Sequence, residues 1–231
     1  MLTLSIDIGG SGIKGMVLDT DAKPVNERLR IETPKDADPE AVFTVIGELI
    51  AEQPPFDRVS VGFPGIVESG VTRSAPNLDG DWTNIPLAAR ISDSTGKPCR
   101  AINDADMQGY GAIEGAGVEM VLTLGTGMGA AIFTNGHLCP NLELGHHPFE
   151  KGLTYEERVG DAARRDAGNK KWSRRVLRVI DQVLPVWNPR VLYIGGGNTK
   201  KLTVDLPAGV RRVDNIAGIL GGVRLWDDEE H

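Results

Sequence analysis

Two glycine-rich turns could hold a chain of phosphate groups. They are Gly9-Gly10-Ser11-Gly12 and Gly125-Thr126-Gly127, and each follows a run of apolar, β-forming residues. Because glycine has no side chain, backbone N–H groups in such turns can approach anionic oxygens closely. Ser11 adds a hydroxyl donor and Lys14 a positive charge. One such turn is equally compatible with a structural role, but a pair favours phosphate binding.

The first turn matches neither common nucleotide-binding pattern. The spacing Gly10-Ser11-Gly12-Ile13-Lys14-Gly15 fits G-x-G-x-x-G, but Gly15 leads into Met16-Val17-Leu18, which is typical of a strand and not of the opening helix that the pattern requires. No Gly-Lys pair is followed by Ser or Thr, so the Walker phosphate loop is also absent. The sequence therefore predicts a β-hairpin that grips phosphate.

Asp7 lies just before the first turn. A carboxylate there would repel phosphate unless a divalent cation lay between them, so the sequence predicts a Mg²⁺ site at Asp7, with the metal held through water. The alternative is that Asp7 only caps backbone amides of the turn.

Asn103-Asp104 and Glu143-Leu144-Gly145-His146 carry the polar groups that suit a sugar. Asp104 could accept a proton from a sugar hydroxyl while Asn103 binds a neighbouring hydroxyl. The alternative is ordinary capping, because Asn and Asp are preferred at helix starts. Glu143 and His146 suit the capture of adjacent hydroxyls, although a surface loop would look similar.

These residues need elements to position them, and the pattern indicates an α/β fold. We expect an antiparallel meander from Leu2 to Ile31, a helix that starts at Asp38-Pro39, a hairpin turn at Asn135-Gly136 and a long helix from Ser173 to Trp187. The strand and turn at 6–12 are repeated at 122–127, which indicates two related lobes with a cleft between them.

We place the lobe boundary at 113/114. The smaller N-terminal lobe, 1–113, then holds the first turn and Asp104, and the larger C-terminal lobe, 114–231, holds the second turn with Glu143 and His146. A final helix is expected from Ile216 to Trp226, with packing back on the N-terminal lobe as an alternative.

Composition excludes several classes of protein. The 231-residue chain has a net charge of −7, which argues against a nucleic-acid-binding surface. Its basic cluster, Lys170 to Arg178, is either a solvated helix face or a means of steering an anionic substrate. Two cysteines give neither a disulfide framework nor metal-ligand spacing, and no apolar run suits a membrane span. We therefore expect a cytoplasmic protein that contacts no membrane.

Together these segments resemble the ROK family (repressors, open reading frames and sugar kinases) of the actin-like ATPase, or ribonuclease H-like, fold. Within it they are most similar to the polyphosphate glucokinase and glucokinase branch. The matching blocks are Asp7 to Gly15, Gly62-Phe63-Pro64-Gly65, Asn103-Asp104-Ala105-Asp106, Leu122 to Gly129, Asn141-Leu142-Glu143-Leu144-Gly145-His146 and Ile194 to Gly197.

The resemblance implies a role for each matching position. Asp104 is the catalytic base. The residues implied to contact or line the glucose site are Gly65, Asn77, Asn103, Glu143 and His146, with Glu157 as a further sugar-binding glutamate on a looser match. The residues implied to lie near the phosphates or the nucleotide are Gly10, Gly12, Lys14, Thr126, Gly127 and Gly195-Gly196-Gly197.

The resulting prediction is a hexose kinase that uses Mg²⁺ and makes glucose 6-phosphate, with ATP, inorganic polyphosphate or both as donor. The resemblance also implies a homodimer. The family's cysteine-rich zinc loop is missing, so no zinc is expected, and His147-Pro148-Phe149 replaces the usual segment after Glu-x-Gly-His. Kinase activity on mannose, fructose or an N-acetylated hexosamine, and a non-catalytic sugar-binding regulator, are the alternatives.

Overall fold

The computed structural model describes residues 1–139, 141–214 and 216–227. The chain divides into two compact units, one formed by Met1–Gly111 with Ile216–His231 and the other by Ala112–Asn215. Within the described residues, no helix combines the length and the apolar character needed to cross a membrane.

Groups of strands are followed by helices along the chain, as expected for an α/β protein. The strands are β1 (Thr3–Gly9), β2 (Gly12–Leu18), β3 (Leu29–Ile31), β4 (Arg58–Phe63), β5 (Val67–Glu68), β6 (Val71–Thr72), β7 (Cys99–Asn103), β8 (Val118–Leu124), β9 (Met128–Thr134), β10 (His137–Cys139), β11 (Val191–Gly195) and β12 (Val210–Arg212). The helices are α1 (Pro39–Ala51), α2 (Leu87–Thr95), α3 (Asp104–Ala112), α4 (Tyr155–Val159), α5 (Asp161–Ala167), α6 (Asn169–Trp187) and α7 (Ala217–Arg224).

The two units contain sheets of the same topology. The first sheet has the strand order β3-β2-β1-β4-β7 and the second β10-β9-β8-β11-β12. In each, the first three strands pair antiparallel and the rest pair parallel. This confirms the antiparallel meander and the duplication, since β1 and β8 hold the same place in their sheets.

Each sheet is covered by helices that bury an apolar face. In the first unit α1 buries Val42, Ile46 and Leu49 at helical spacing, and the side chain of Asp38 caps it by accepting from the N–H of Ala41. In the second, α6 buries its apolar face, including Trp172, against the sheet core. The Asn135-Gly136 turn has the predicted geometry, with φ of 52° and 86°.

The last helix, α7, belongs to the first unit and packs through small residues. A Cβ at Gly221 would lie 1.8 Å from the carbonyl oxygen of Met107 in α3, so only glycine allows this approach. After α7, Trp226 donates from its indole N–H to Ser60 on β4, and the guanidinium groups of Arg58 and Arg100 lie against its ring.

Candidate active site

The first glycine turn joins β1 to β2 in a tight antiparallel hairpin, in which Gly9 pairs with Gly12 and Asp7 with Lys14. The Lys14 ammonium donates to the Asp7 carboxylate at 2.6 Å, and both side chains are only about one-fifth exposed. The sequence predicted separate roles for these two residues. The structure joins them in one ion pair beside the turn.

Two further residues, which the sequence analysis did not identify, hold the first turn. Arg30 on β3 pairs with Lys14 across the sheet, and its guanidinium donates to the carbonyl of Ser11 at 2.6 Å. A Cβ at Gly12 would lie 2.6 Å from Nε of Arg30, so the guanidinium lies directly against the turn. Thr33 donates its hydroxyl to the carbonyl of Gly9. The turn therefore has two cationic side chains beside it.

The metal prediction concerns Asp7, and its surroundings suit only a loosely held ion. Among the residues that the structure describes, no three His, Cys, Asp or Glu side chains group together as a metal site. One carboxylate beside phosphate groups is nevertheless a usual arrangement for Mg²⁺, which keeps several waters and binds substrate phosphates. Asp7 does not fit a protein cage, and Lys14 already contacts one of its carboxylate oxygens, so a Mg²⁺ here would be held through water.

Asp104 is the first residue of α3 and follows β7 directly. Its neighbour Asn103 caps the helix, because its side-chain oxygen accepts from the N–H groups of Ala105 at 2.8 Å and Asp106 at 3.3 Å. The Asn103 amide also donates to the carbonyl of Gly65 at 3.1 Å. Asn103 therefore does the capping that sequence reasoning considered, and it fixes both Asp104 and the Gly65 loop.

Register places Asp104 and Asp7 at the same edge of the first sheet. Asp7 pairs with Gly62 on β4, and Gly62 pairs with Ile102 on β7, so the strands leading to both acids end together. Neighbouring strands lie about 4.8 Å apart, so two spacings separate β1 from β7 by about 10 Å. A Cβ at Gly62 would lie 3.3 Å from Cα of Asp104, which shows how closely β4 passes beneath it.

Gly65 and Asn77, both predicted to line the sugar site, lie in two loops that are joined to each other. A Cβ at Gly65 would lie 1.9 Å from the carbonyl oxygen of Ser74, and the N–H of Arg73 donates to the carbonyl of Ile66 at 2.8 Å. Asn77 is exposed in the turn three residues after Ser74. The first unit therefore carries Asp104, Asn103, Gly65 and Asn77 on connected segments.

The second glycine turn, between β8 and β9, packs against α4. A Cβ at Gly127 would lie 1.8 Å from a carboxylate oxygen of Glu156, and that carboxylate accepts from the N–H of Met128 at 3.4 Å. The carbonyl of Thr126 accepts from the N–H of Asp161 at 3.0 Å. A side chain at position 127 would therefore displace the Glu156 carboxylate.

Glu156 also belongs to a polar group with Glu143 and His146. Glu143 and His146 lie on one short 3₁₀ turn, in which the N–H of His146 donates to the carbonyl of Glu143 at 3.1 Å. Burial raises the pKa of Glu143; nearby His146 lowers it, and the like charge of Glu156 raises it further. The second unit therefore presents two carboxylates and an imidazole together, a set that suits several sugar hydroxyls.

Glu157, the predicted further sugar-binding glutamate, has a different partner. Its carboxylate accepts from the N–H of Thr154 at 2.7 Å, and the Thr154 hydroxyl accepts from the N–H of Glu157 at 3.2 Å. This reciprocal pair is the capping box of α4. The sequence offered a signal for it, since Thr154-Tyr155-Glu156-Glu157 has the T-x-x-E spacing. Glu156, one residue earlier, is the glutamate that lies with Glu143 and His146.

The third glycine turn, Gly195-Gly196-Gly197, is joined to the second. Asn198 donates from its side chain to the carbonyl of Gly125 at 2.9 Å and from its backbone to the carbonyl of Leu124 at 2.9 Å. Since β8 and β11 are parallel neighbours, both turns lie at the carboxyl edge of the second sheet. Asn198 was not identified from the sequence.

Comparison with known proteins decides the family. The model of the ROK family matches residues 3–161. The chain belongs to the ROK family. A relative named polyphosphate glucokinase, from Mycobacterium tuberculosis, is 34% identical over 94% of this chain and 88% of its own length.

Solved structures support the same assignment. An inorganic polyphosphate/ATP-glucomannokinase from Arthrobacter sp. strain KM superposes with a TM-score of 0.90 at 33% identity, covering 100% of this chain and 99% of the other. A ROK family glucokinase from Streptomyces griseus, solved with glucose and AMPPNP, has a TM-score of 0.82 at 19% identity, covering 97% and 99% of the two chains, which shows the fold alone. The predicted actin-like ATPase fold is confirmed.

Proposed function

We propose that this protein is a hexose kinase that phosphorylates glucose to glucose 6-phosphate, with polyphosphate, ATP or both as donor. The observation that carries the proposal is the likeness, along 94% of the chain at 34% identity, to a protein named polyphosphate glucokinase. The geometry adds an acid at a helix start, glycine turns at the ends of strands, and a cluster of sugar-type ligands.

Asp104 is the base in this proposal. It accepts the proton of the sugar 6-hydroxyl as that oxygen attacks the terminal phosphorus in line. The new O–P bond forms as the bond to the bridging oxygen breaks, and the shortened polyphosphate or ADP leaves with that oxygen. The hydrogen bonds of Asn103 to α3 and to Gly65 support this role, because they fix the position of the acid before substrate binds.

In this proposal Gly65, Asn77 and Asn103 line the sugar site, and Glu143, His146 and Glu156 bind sugar hydroxyls. Glu156 takes the place that the sequence analysis gave to Glu157, because the carboxylate of Glu157 is used in the capping box of α4.

The donor is held by the glycine turns. The amides of Gly9-Gly10-Ser11-Gly12 and of Thr126-Gly127 bind phosphate oxygens, with Lys14 and Arg30 adding positive charge, and Gly195-Gly196-Gly197 lies on the nucleotide side. The N–H of Gly125 donates to the carbonyl of Gly127 and so shapes the second turn. Mg²⁺ held by Asp7 through water would supply neutralisation of the phosphate charge. We propose no zinc, because two cysteines in the whole sequence cannot form a cysteine-rich site. Family likeness also supports a cytoplasmic homodimer.

Mannose is a second candidate acceptor, because the Arthrobacter relative is named a glucomannokinase. The first experiment compares Asp104→Asn with the unchanged protein in mixtures of sugar, Mg²⁺ and either ATP or polyphosphate, with sugar phosphate as the product measured. We expect Asp104→Asn to keep its fold and glucose binding and to lose at least about a hundredfold in kcat, the usual contribution of general-base catalysis.

A regulator without catalysis would make no sugar phosphate with any donor. Turnover by Asp104→Asn within a fewfold of the unchanged protein would remove Asp104 as the base. The ratio of the ATP and polyphosphate rates identifies the donor, and the ratio of the glucose and mannose rates identifies the acceptor.

A further inference from the structure

Three arginines gather around one glutamate in the second unit, and none of the four is among the residues assigned to the phosphates or the sugar. Arg158 lies on α4, Arg175 and Arg178 lie on α6, and Glu150 lies in the loop before α4. We call these four residues the arginine cluster. Two of its members belong to the basic segment Lys170 to Arg178, which the proposed function leaves without a role.

Glu150, the one carboxylate of the arginine cluster, is already hydrogen-bonded to two of the arginines. Glu150 accepts two hydrogen bonds from Arg178, at 2.5 and 2.8 Å, and one from Arg158 at 3.2 Å. Arg178, and after it Arg158, lower the pKa of Glu150 to about 2 despite some burial. Glu150 therefore balances one positive charge of the three.

None of the described hydrogen bonds joins Arg175 to the Glu150 carboxylate. Arg175 is 7% exposed, and its guanidinium donates to the backbone carbonyl of Arg158 at 3.3 Å. Arg158 is itself 9% exposed, and within 1–139, 141–214 and 216–227 neither the Nε–H of Arg158 nor that of Arg175 has an acceptor. A buried donor without a partner is costly, and more so when the group is charged.

The charges of the cluster do not cancel. Burial lowers the pKa of Arg175, and the like charges of Arg158 and Arg178 lower it further, while Asp166 and Glu150 raise it. Asp166 forms no ion pair with Arg175 among the described residues. The hydrogen bonds of Glu150 give Arg178, and in part Arg158, a structural role in joining the loop to the helices. They give Arg175 no such role.

We propose that the arginine cluster binds phosphate groups of a polyphosphate chain, as a donor-binding site separate from the glycine turns. This inference rests on the proposed function. Guanidinium groups match phosphate oxygens with paired hydrogen bonds, and a multiply charged anion offsets the positive charge of the cluster that Glu150 leaves unbalanced. Arg178, whose side chain is 44% exposed, opens the cluster to solvent. Arg158 lies two residues after Glu156, so α4 links the cluster to the second glycine turn.

Calorimetric titration with tripolyphosphate, in phosphate-free buffer, tests the site. The full chain is compared with Arg175→Gln, Arg178→Gln and a matched control, Arg174→Gln, which removes the same charge from an exposed position of α6. We expect two tripolyphosphate sites in the unchanged protein. Arg175→Gln and Arg178→Gln should weaken one of them about tenfold, since one hydrogen bond between charged groups contributes about that factor. Arg174→Gln should change neither.

Lys14→Gln separates this inference from the proposed function, because it should weaken only the site at the first glycine turn. If no sugar phosphate forms and Lys14→Gln titrates as the unchanged protein does, while Arg175→Gln loses its site, the kinase proposal fails and the cluster stands. Identical titrations for the Arg175, Arg178 and Arg174 variants overturn the cluster. Inorganic phosphate that binds as tightly as tripolyphosphate overturns the assignment to a chain.

Kinetics give a second readout if Arg175→Gln does not fold. Arg178→Gln changes an exposed side chain, and it should raise the KM for long polyphosphate about tenfold while kcat and the KM for ATP stay unchanged. An equal rise for both donors would place its effect at the glycine turns and overturn the separate site.

Discussion

Glu156 and Glu157 are neighbours in α4 with different surroundings. Glu156 reaches the second glycine turn and the Glu143–His146 pair, and Glu157 closes the capping box with Thr154. If Glu156 binds sugar, Glu156→Gln should raise the KM for glucose about tenfold or more, because it weakens hydrogen bonds made by a charged acceptor. Glu157→Gln should leave that KM unchanged and lower the free energy of unfolding by up to about 1 kcal/mol. Steady-state kinetics and urea unfolding of both variants measure this.

Glu156→Gln also tests how the charge of Glu156 affects the pKa of Glu143. The pKa of Glu143 is raised, so its carboxylate gains a proton at a higher pH than an ordinary glutamate as the pH falls. The value of kcat/KM for glucose should therefore decline on the acid side through that raised pKa. Glu156→Gln removes a like charge, which lowers the pKa of Glu143 and moves the decline to lower pH. If the pH profile of kcat/KM is the same in Glu156→Gln and the unchanged protein, the charge of Glu156 does not affect Glu143.

At the residue scale, some contacts had a sequence signal and others had none. The T-x-x-E spacing identifies Glu157 as the capping residue, which leaves Glu156 for the site. Arg30 has no comparable signal, because it reaches the first turn through the pairing of β3 with β2, and that register is not visible in a single sequence. Asn198 reaches the second turn only because β11 lies beside β8.

At the scale of the hairpin, Arg30 both stabilises the first glycine turn and places a positive charge beside it. Its hydrogen bond to Ser11 and its contact with Gly12 hold the guanidinium where donor phosphates are proposed to bind. We expect Arg30→Ala to raise the KM for ATP and for polyphosphate about tenfold, with the KM for glucose unchanged.

Arg28→Ala is the matched control, since it removes the same charge two residues earlier and none of the described hydrogen bonds joins Arg28 to the turn. Kinetics that are alike for the two variants would limit Arg30 to a structural role.

The longer elements were predictable, and several short ones were not. The capped start of α1 has a strong local pattern and the strand–turn–strand repeat a weak one, and the structure contains both. The sequence analysis missed α2, which buries only Leu87 and Ile91 and starts without a side-chain cap. It also missed α5, which buries none of its residues. Two buried residues in one helix, and none in the other, are too few to show a helical periodicity.

At the scale of the whole molecule, the chain returns to the first unit through α7, and this return depends on glycine. A Cβ at Gly221 would lie 1.8 Å from the Met107 carbonyl oxygen and 2.9 Å from the N–H nitrogen of Gly111, both in α3. Since α3 begins at Asp104, the packing of the last helix also supports the proposed base. The two ends of the sequence are therefore coupled in one folding unit.

Gly221→Ala and Gly47→Ala separate this packing from helix propensity. Both are glycines inside helices, and alanine improves propensity in each by about 0.5–1 kcal/mol. A Cβ at Gly47 meets nothing within 4 Å, so Gly47→Ala should raise the midpoint of urea unfolding. Gly221→Ala should lower the midpoint, because overpacking reduces the free energy of unfolding by about 1–3 kcal/mol. It should also reduce kcat as α3 shifts. If both variants are stabilised to the same extent, α7 does not pack on α3 through Gly221, and the first unit does not need the end of the chain to hold Asp104 in place.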